Sequence, residues 1–492
     1  MMRRLGAALT LLCAAAAPVA LLAQGPAPAP PPSGASPGAS TGQPAGPAAT
    51  PRVFTLDEAL AHAVEHYPSV RAALEQVTAS TAGVDVARAA YLPRLESLWQ
   101  TNRATVNNIT GLLLPQSVAP GISGPPLAST SGRSVWGSVA GAFFSWEPFD
   151  FGLREAGVRG AEAAVARARA DQSLTQLEVQ NAVGSAYLAV VHAGQALAAA
   201  RADVERRTVL ARAARTLADA QLRPGAEASR ADAERAAAET RAILARRTLI
   251  VSQTALARLL GVADGQVGVS ATGLLAPPAA STSTSGRPSE HPLARTRLAS
   301  VDAARIQEDA LARVFRPKLF LQSTLYARGS GAEYNGALEG GAAGLGLERT
   351  NWATGVQVVF PNLFELASLR ARRAAASATT RAERARYDEA LLAVSHQQRE
   401  AAAILEAARA VAANTPVQLE AARQSESQAR ARYDAGLASI VEVADAQNLL
   451  AQAEYQDAAA RVDVWRALLA DAVARGDFAP LFDRIRSAGG GR

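Results

Sequence analysis

YPSVRAALEQVTASTAGVDVARAAYLPRL, residues 67–95, and HPLARTRLASVDAARIQEDALARVFRPKL, residues 291–319, settle the architecture between them. Pro68 and Pro93 bracket the first and Pro292 and Pro317 the second, the prolines standing 25 residues apart each time. Arg71 matches Arg295, and Leu74 matches Leu298. Further on, Pro148 before FDFG parallels Pro361 before NLFE, and Gly225 parallels Gly436. The offsets drift from 224 to 213 to 211, as loop-length differences produce. Two copies of one unit are expected, the first over 53–261 and the second over 289–476, joined by a linker at 262–288 and followed by a C-terminal tail at 477–492.

Each copy reads as helix, strand pair, very long helix, hairpin tip and returning helix. Thr55 and Glu58 form a capping box that opens a short helix, and Pro68 opens the next, which stops before Pro93. Strand candidates occupy 94–105 and 134–146 in the first copy and 318–328 and 351–360 in the second. Each has the roughly 10 residues that a tilted strand needs to cross a bilayer. Trp352, Thr354, Val356, Val358 and Phe360 alternate with Ala353, Gly355 and Gln357, so one face suits lipid and the other a lumen. Trp99, Trp136, Trp146 and Tyr326 suit aromatic girdles. Four strands cannot close a barrel and lipid tolerates no open edge, so several chains must share one.

Residues 151–222 contain no proline and keep helical periodicity, enough for about 108 Å of helix. Residues 362–433 form the counterpart, where Asn414-Thr415-Pro416 predicts a kink, or a break with a fresh N-terminus. Helices of that length suit the crossing of a compartment better than the wrapping of a globular core.

The ends of the chain agree with export. Residues 1–23 combine Arg3 and Arg4, an apolar run and small residues near Ala23, the layout of a cleaved signal peptide. The single cysteine, Cys13, lies inside it, and Thr10-Leu11-Leu12 lacks the small residues expected before a lipidated cysteine. Without that segment the chain has no cysteine for disulfide or thiol chemistry. Its formal charge falls from +6 to +4 with no block of like charge, which argues against a nucleic-acid partner. Residues 24–52, rich in Pro, Ala, Gly, Ser and Thr, read as a disordered leader. No later run is read as approaching the 20 or so continuous apolar residues of a spanning helix, which sets aside a helical inner-membrane protein.

Several motifs together make the chain resemble the TolC-type outer-membrane efflux protein family, over about residues 53–476. They are LDEALAHAVEHYPSVRAA, the ARAAYLPRL run, EPFDFGLREAGVRGAEAA and RYDAGLASIVEVADAQNLLAQAE, each at its place in a doubled unit. The resemblance implies a mainly α fold with a membrane β-barrel. In it, a homotrimer closes a twelve-stranded barrel from four strands per chain, above a tunnel of long α-helical coiled hairpins crossing the periplasm. It also implies an outer-membrane location, a passive channel rather than an enzyme, no cofactor, and docking onto a periplasmic adaptor (membrane fusion) protein served by an inner-membrane transporter.

Carried onto this chain, the resemblance places Glu442, Asp445, Tyr433 and Asp232 at the periplasmic entrance. Gly436, Leu437 and Gly225 fall at the tips that adaptors engage. Glu442 and Asp445 are three apart on one helix face. Asp232 is one residue from the usual acidic position, and Ala438 stands where some relatives carry a latch arginine. The transported substrate is not legible here: Met1 and Met2 are the only methionines, so a methionine relay for soft metals is absent from the channel. Drug-type efflux by a proton-driven pump is favoured over export of polypeptides.

Two rival readings use other features. His62-Ala63-Val64-Glu65-His66 fits H-x-x-E-H, which in a zinc protease sets two imidazoles one helical turn apart with a glutamate as base. An exported trimeric coiled-coil adhesin would account for the long helices, though not for two strand pairs.

Overall fold

The computed structural model describes residues 52–105, 132–262, 267–276, 286–333, 337–360 and 366–489. The signal peptide, nearly all of the leader and Pro361 with its NLFE run lie outside the described residues. The order is β1 (Arg52–Phe54), α1 (Leu56–His66), α2 (Pro68–Ala89), β2 (Arg94–Thr105), β3 (Ser134–Phe149), α3 (Leu153–Asp219), α4 (Gly225–Leu260) and β4 (Val267–Val269). It continues with α5 (Pro292–Arg313), β5 (Lys318–Ser330), β6 (Arg349–Val359), α6 (Leu366–Asp434), α7 (Ile440–Arg475) and α8 (Ala479–Gly489). Thr55 caps α1 through a reciprocal capping box with Glu58, and prolines open α2 and α5.

Strands β2, β3, β5 and β6 form one antiparallel sheet in that order, with β2 and β6 at its free edges. Three strands have ends that differ from those expected. β3 runs three residues further, across an irregularity between Trp146 and Phe149 that absorbs Pro148; β5 runs on to Ser330, and β6 covers 349–359 instead of 351–360. Register through Trp99↔Ala140↔Ala327 and Leu325↔Trp352 puts Leu95, Trp99, Trp146, Trp352, Val356 and Val358 on one face, all exposed. The other face carries Gln100, Asn102, Gln322, Asn351 and Gln357.

Helix α6 is unbroken from 366 to 434 with Pro416 inside it, so the expected fresh N-terminus does not form. Pro416 has no N–H to donate, and packing on α7 offsets that loss. Buried Thr415 donates its Oγ1–H to Oδ1 of buried Asp457 at 3.1 Å, and Arg461 pairs with the same carboxylate at 2.8 Å. Leu419 and Ala422 pack on Leu450 and Ala453 one turn further on.

Segments expected to be leader, linker and tail contribute structure. Arg52 begins β1, which pairs in parallel with β4 from the 262–288 stretch. Helix α8 follows in the 477–492 stretch, after Phe478, and Phe478 and Leu481 enter the main core. That core surrounds the middle of α3, where Val183, Tyr187, Leu188 and Val190 are buried with Leu256, Trp465 and Leu468. Helix α3 does contain a stretch long and apolar enough to cross a membrane, contrary to the sequence reading; its buried side chains meet protein here. Tyr187 Oη lies 2.7 Å from the Ser270 carbonyl and 2.9 Å from that of Phe54, tying the small sheet to α3.

Around this core the helices form an open row. At the tip end α4 packs on α3, α3 on α7 and α7 on α6; toward the sheet α2 packs on α3, α3 on α5 and α5 on α6. The crossing of α3 and α7 is close at Gly184, where a Cβ would stand 2.9 Å from Leu469 Cδ1. Gly184→Val should therefore overpack the core and cost about 1–3 kcal/mol, read as a lower midpoint in urea unfolding of the detergent-solubilised protein.

Candidate functional site

The two hairpin tips, α3–α4 and α6–α7, lie side by side through an apolar cluster. Ala211, Ala214 and Ala231 of the first pack on Tyr433, Ala438, Ile440 and Val443 of the second. Each tip begins with the same helix-ending motif. In the second, the Leu437 amide donates to the Arg432 carbonyl at 2.8 Å and Gly436 to Tyr433 at 2.9 Å, a six-to-one and five-to-two pair that needs a left-handed residue at its centre. Gly436 supplies it at φ +77°.

In the first tip, Leu222 donates to Leu217 and Gln221 to Ala218, both at 2.9 Å. The left-handed residue is Gln221, at φ +57°. Gly225 is instead the first residue of α4 and is absent from the left-handed set. The pairing of Gly225 with Gly436 is therefore corrected: Gln221 is the conformational equivalent of Gly436, and Leu222 that of Leu437. Asp219-Ala220-Gln221-Leu222 against Asp434-Ala435-Gly436-Leu437 carried that alignment in the sequence. Leu222 and Leu437 project at corresponding positions, 71% and 73% exposed.

The corrected alignment sets Arg223 opposite Ala438, so the arginine missing from the second tip is present in the first. Its guanidinium lies over the Tyr433 ring at 5.0 Å, Nη2 donates to the Tyr433 carbonyl at 3.3 Å, and Nη1 is 3.8 Å from Glu227. Tyr433 is buried and donates its hydroxyl to Glu227 Oε2 at 3.2 Å. Burial pushes the phenol's pKa up and the Glu227 charge adds to the rise, so the hydroxyl keeps its proton through neutral pH. Glu227 was not among the residues singled out from sequence, although it holds the same first-turn place on α4 that Glu442 holds on α7.

The other acidic residues fare differently. Glu442 is exposed and 3.8 Å from Arg432, also exposed; such a pair is worth at most about 1 kcal/mol and leaves the carboxylate available. Asp445 is exposed one turn on, with no ion pair among the described residues. Asp232 bonds Arg215 of α3 and lies 4.0 Å from Arg235, so it braces the first hairpin internally. At the far end of the chain, His62 and His66 stack with ring centroids 4.2 Å apart. The His66 Nδ1 lies 3.0 Å from the His62 carbonyl, and Glu65 is exposed beside them. Among the described residues no group of three metal-ligating side chains occurs.

A left-handed glutamine is strained by about 1–2 kcal/mol, and a left-handed glycine is not. Gln221→Gly should accordingly slow amide exchange of the Leu222 N–H, whereas Gly436→Ala should speed exchange of the Leu437 N–H by about tenfold.

The family model described as "Outer membrane efflux protein" matches residues 59–262 and 291–470. No curated, characterised protein matches the chain. Solved structures similar to it include VceC from Vibrio cholerae, an outer membrane protein, at 19% identity and TM-score 0.67, covering 86% of this chain and 96% of that one. The CmeC outer membrane channel of Campylobacter jejuni aligns at 14% identity and TM-score 0.69, over 88% and 89%. The open state of the MtrE outer membrane channel of Neisseria gonorrhoeae aligns at 18% and 0.65, over 86% and 89%. These identities speak for the fold, and the family match covers both halves of the repeat, leaving neither the protease nor the adhesin reading in place. The chain is a member of the outer membrane efflux protein family, a non-enzymatic efflux channel of the outer membrane.

Proposed function

We propose that this channel works as a homotrimer whose four-stranded sheets close one twelve-stranded barrel. It would form the outer-membrane segment of a tripartite system fed by a periplasmic adaptor and an inner-membrane transporter. The observation that carries the trimer is the agreement of edges at three levels. β2, α2 and α4 all lie at one side of the row, and β6 and α6 at the other. A sheet edge cannot stay open in lipid, and a head-to-tail contact between unlike edges closes a ring.

Both helical edges carry exposed apolar residues at coiled-coil spacing: Ile243 with Ile250 and Leu244 with Val251 on α4, and Ile404 with Val411 on α6, each pair seven apart. Seated on a neighbouring copy, they would be covered. In that ring the face bearing Trp99, Trp352 and Val356 meets lipid, and the polar face lines the lumen.

The tips are the proposed entrance. Glu442 and Asp445 stand exposed on α7, and three copies would bring about six carboxylates together, a recognised device for favouring cations. Leu222 and Leu437 offer an adaptor two like apolar knobs per chain. Gly436, Leu437 and the first tip around Gly225 form the proposed docking surface, with Asp232 as a brace behind it. The drug-type, proton-driven assignment stays a proposal of the same kind.

Three measurements test this. Ile250→Asp together with Val411→Asp should abolish the trimer in size-exclusion chromatography with light scattering; an undiminished trimer would remove these seams from the interface. Glu442→Ala with Asp445→Ala should leave trimers intact while lowering cation selectivity in planar bilayers and weakening block by multivalent cations from the tip side. Gly436→Trp should assemble yet fail to support efflux.

A further inference from the structure

Far from the tips, where α6, α7 and α8 meet the main core, three arginines gather around one carboxylate. Arg475 closes on Asp471 within α7, its Nε 2.9 Å and its Nη2 2.8 Å from Oδ1, and that aspartate is buried. Arg484 of α8 stands in the field of the same group. Burial lowers its pKa most, Arg409 of α6 next and Arg475 as well, while Asp471 opposes them. Nε and Nη2 of Arg409 are buried with no acceptor among the described residues.

Three guanidiniums against one carboxylate leave two positive charges in excess. A cation withdrawn from water needs an opposite charge or acceptors for its N–H groups. Arg475 and Arg484 line a cleft of about 1050 Å³, walled on α3 by Ser173, Gln176 and Gln180. The carboxylates on this cleft are engaged elsewhere: Asp477 accepts from the Ala479 amide at 2.9 Å, Asp483 from Arg486 at 2.6 Å, and Glu290 lies 3.9 Å from Arg287. Hydroxyl, amide and guanidinium donors therefore share one concave surface, of the size that takes a small organic molecule.

We propose that Arg475 and Arg484, with Arg409 adding its charge from α6, bind an oxyanion in this cleft, either a phosphoryl group or a polycarboxylate. Guanidinium forks match the paired oxygens of both. The bound anion offsets the excess charge and ties α8 to the α6–α7 hairpin. Arg475 and Arg484 are the contacting residues, and Arg409 acts through the field it shares with Arg484.

The test is calorimetric titration of the full-length protein in detergent with inorganic phosphate and, separately, with citrate, at fixed ionic strength against chloride. Saturable binding is expected, and the tighter of the two probes tells a phosphoryl ligand from a polycarboxylate. Arg484→Gln should weaken it about tenfold, the factor for one charge-assisted hydrogen bond, and Arg484→Lys should restore part of it by keeping the charge. Arg409→Leu should weaken it too, yet melt no lower than the parent in chloride, since it removes an uncompensated cation. An arginine that merely holds helices together would, when replaced, lower the melting temperature in both salts. No saturable binding of phosphate or citrate beyond chloride, or binding undiminished by Arg484→Gln, would overturn the site. An Arg409→Leu protein that melts lower in chloride would overturn the part given to Arg409.

Discussion

The constraint on which the rest of the structure depends is the unsatisfied edge. A strand at the margin of a sheet presents N–H and C=O groups that water can satisfy and hydrocarbon cannot. Among the described residues the larger sheet has four strands, with β2 and β6 left at its margins. Helices continue the same order below them, because each long helix follows directly from a strand and inherits its neighbour. α3 leaves β3 through Asp150, whose carboxylate accepts from the Gly152 amide at 3.1 Å, and the left-handed Phe151 and Gly152 turn the chain from one layer to the next.

Length then imposes its own requirement. Helices of 67 and 69 residues run for about 100 Å and cannot wrap a core, so they are stabilised by seams between neighbours. The seams are built mostly of alanine, valine and leucine, with one dense core where α1, α8 and the β1–β4 pair gather on the middle of α3 and the C-terminal part of α7. Toward the tips the packing thins to small clusters interleaved with ion pairs. Apolar packing there is modest, and polar contacts such as Tyr433–Glu227 and Arg207–Asn448 join the hairpins.

The repeat explains why the two tips resemble one another and why they differ. Both use the same helix-ending hydrogen bonds and project a leucine. They part at the left-handed position, glycine in one and glutamine in the other, and at the next position but one, where Arg223 faces Ala438 in the alignment. The single arginine reaches across to Tyr433, so one side chain serves a contact that a symmetric pair would crowd.

Much of the fold was legible in the sequence, because paired prolines, alternation in the strands and proline-free runs are local signals with local causes. So were the exposed carboxylates Glu442 and Asp445 on one face of α7. Where the sequence misled, the deciding interaction was distant in the chain. At Pro416 the sequence left a kink and a break both open; the helix is continuous, and Thr415 and Asp457, 42 residues apart, hold the site against α7. The tail and linker gained structure from a core formed by residues hundreds of positions away. Gly225 drew attention because glycine is the usual left-handed residue, yet hydrogen bonding put Gln221 there. Glu227, Arg223 and Arg207 are ordinary charged residues of long helices, indistinguishable along the chain from dozens of solvated neighbours. Only the packing of α3 and α4 against α7 and the tip of α6 removed water from these few and made them partners.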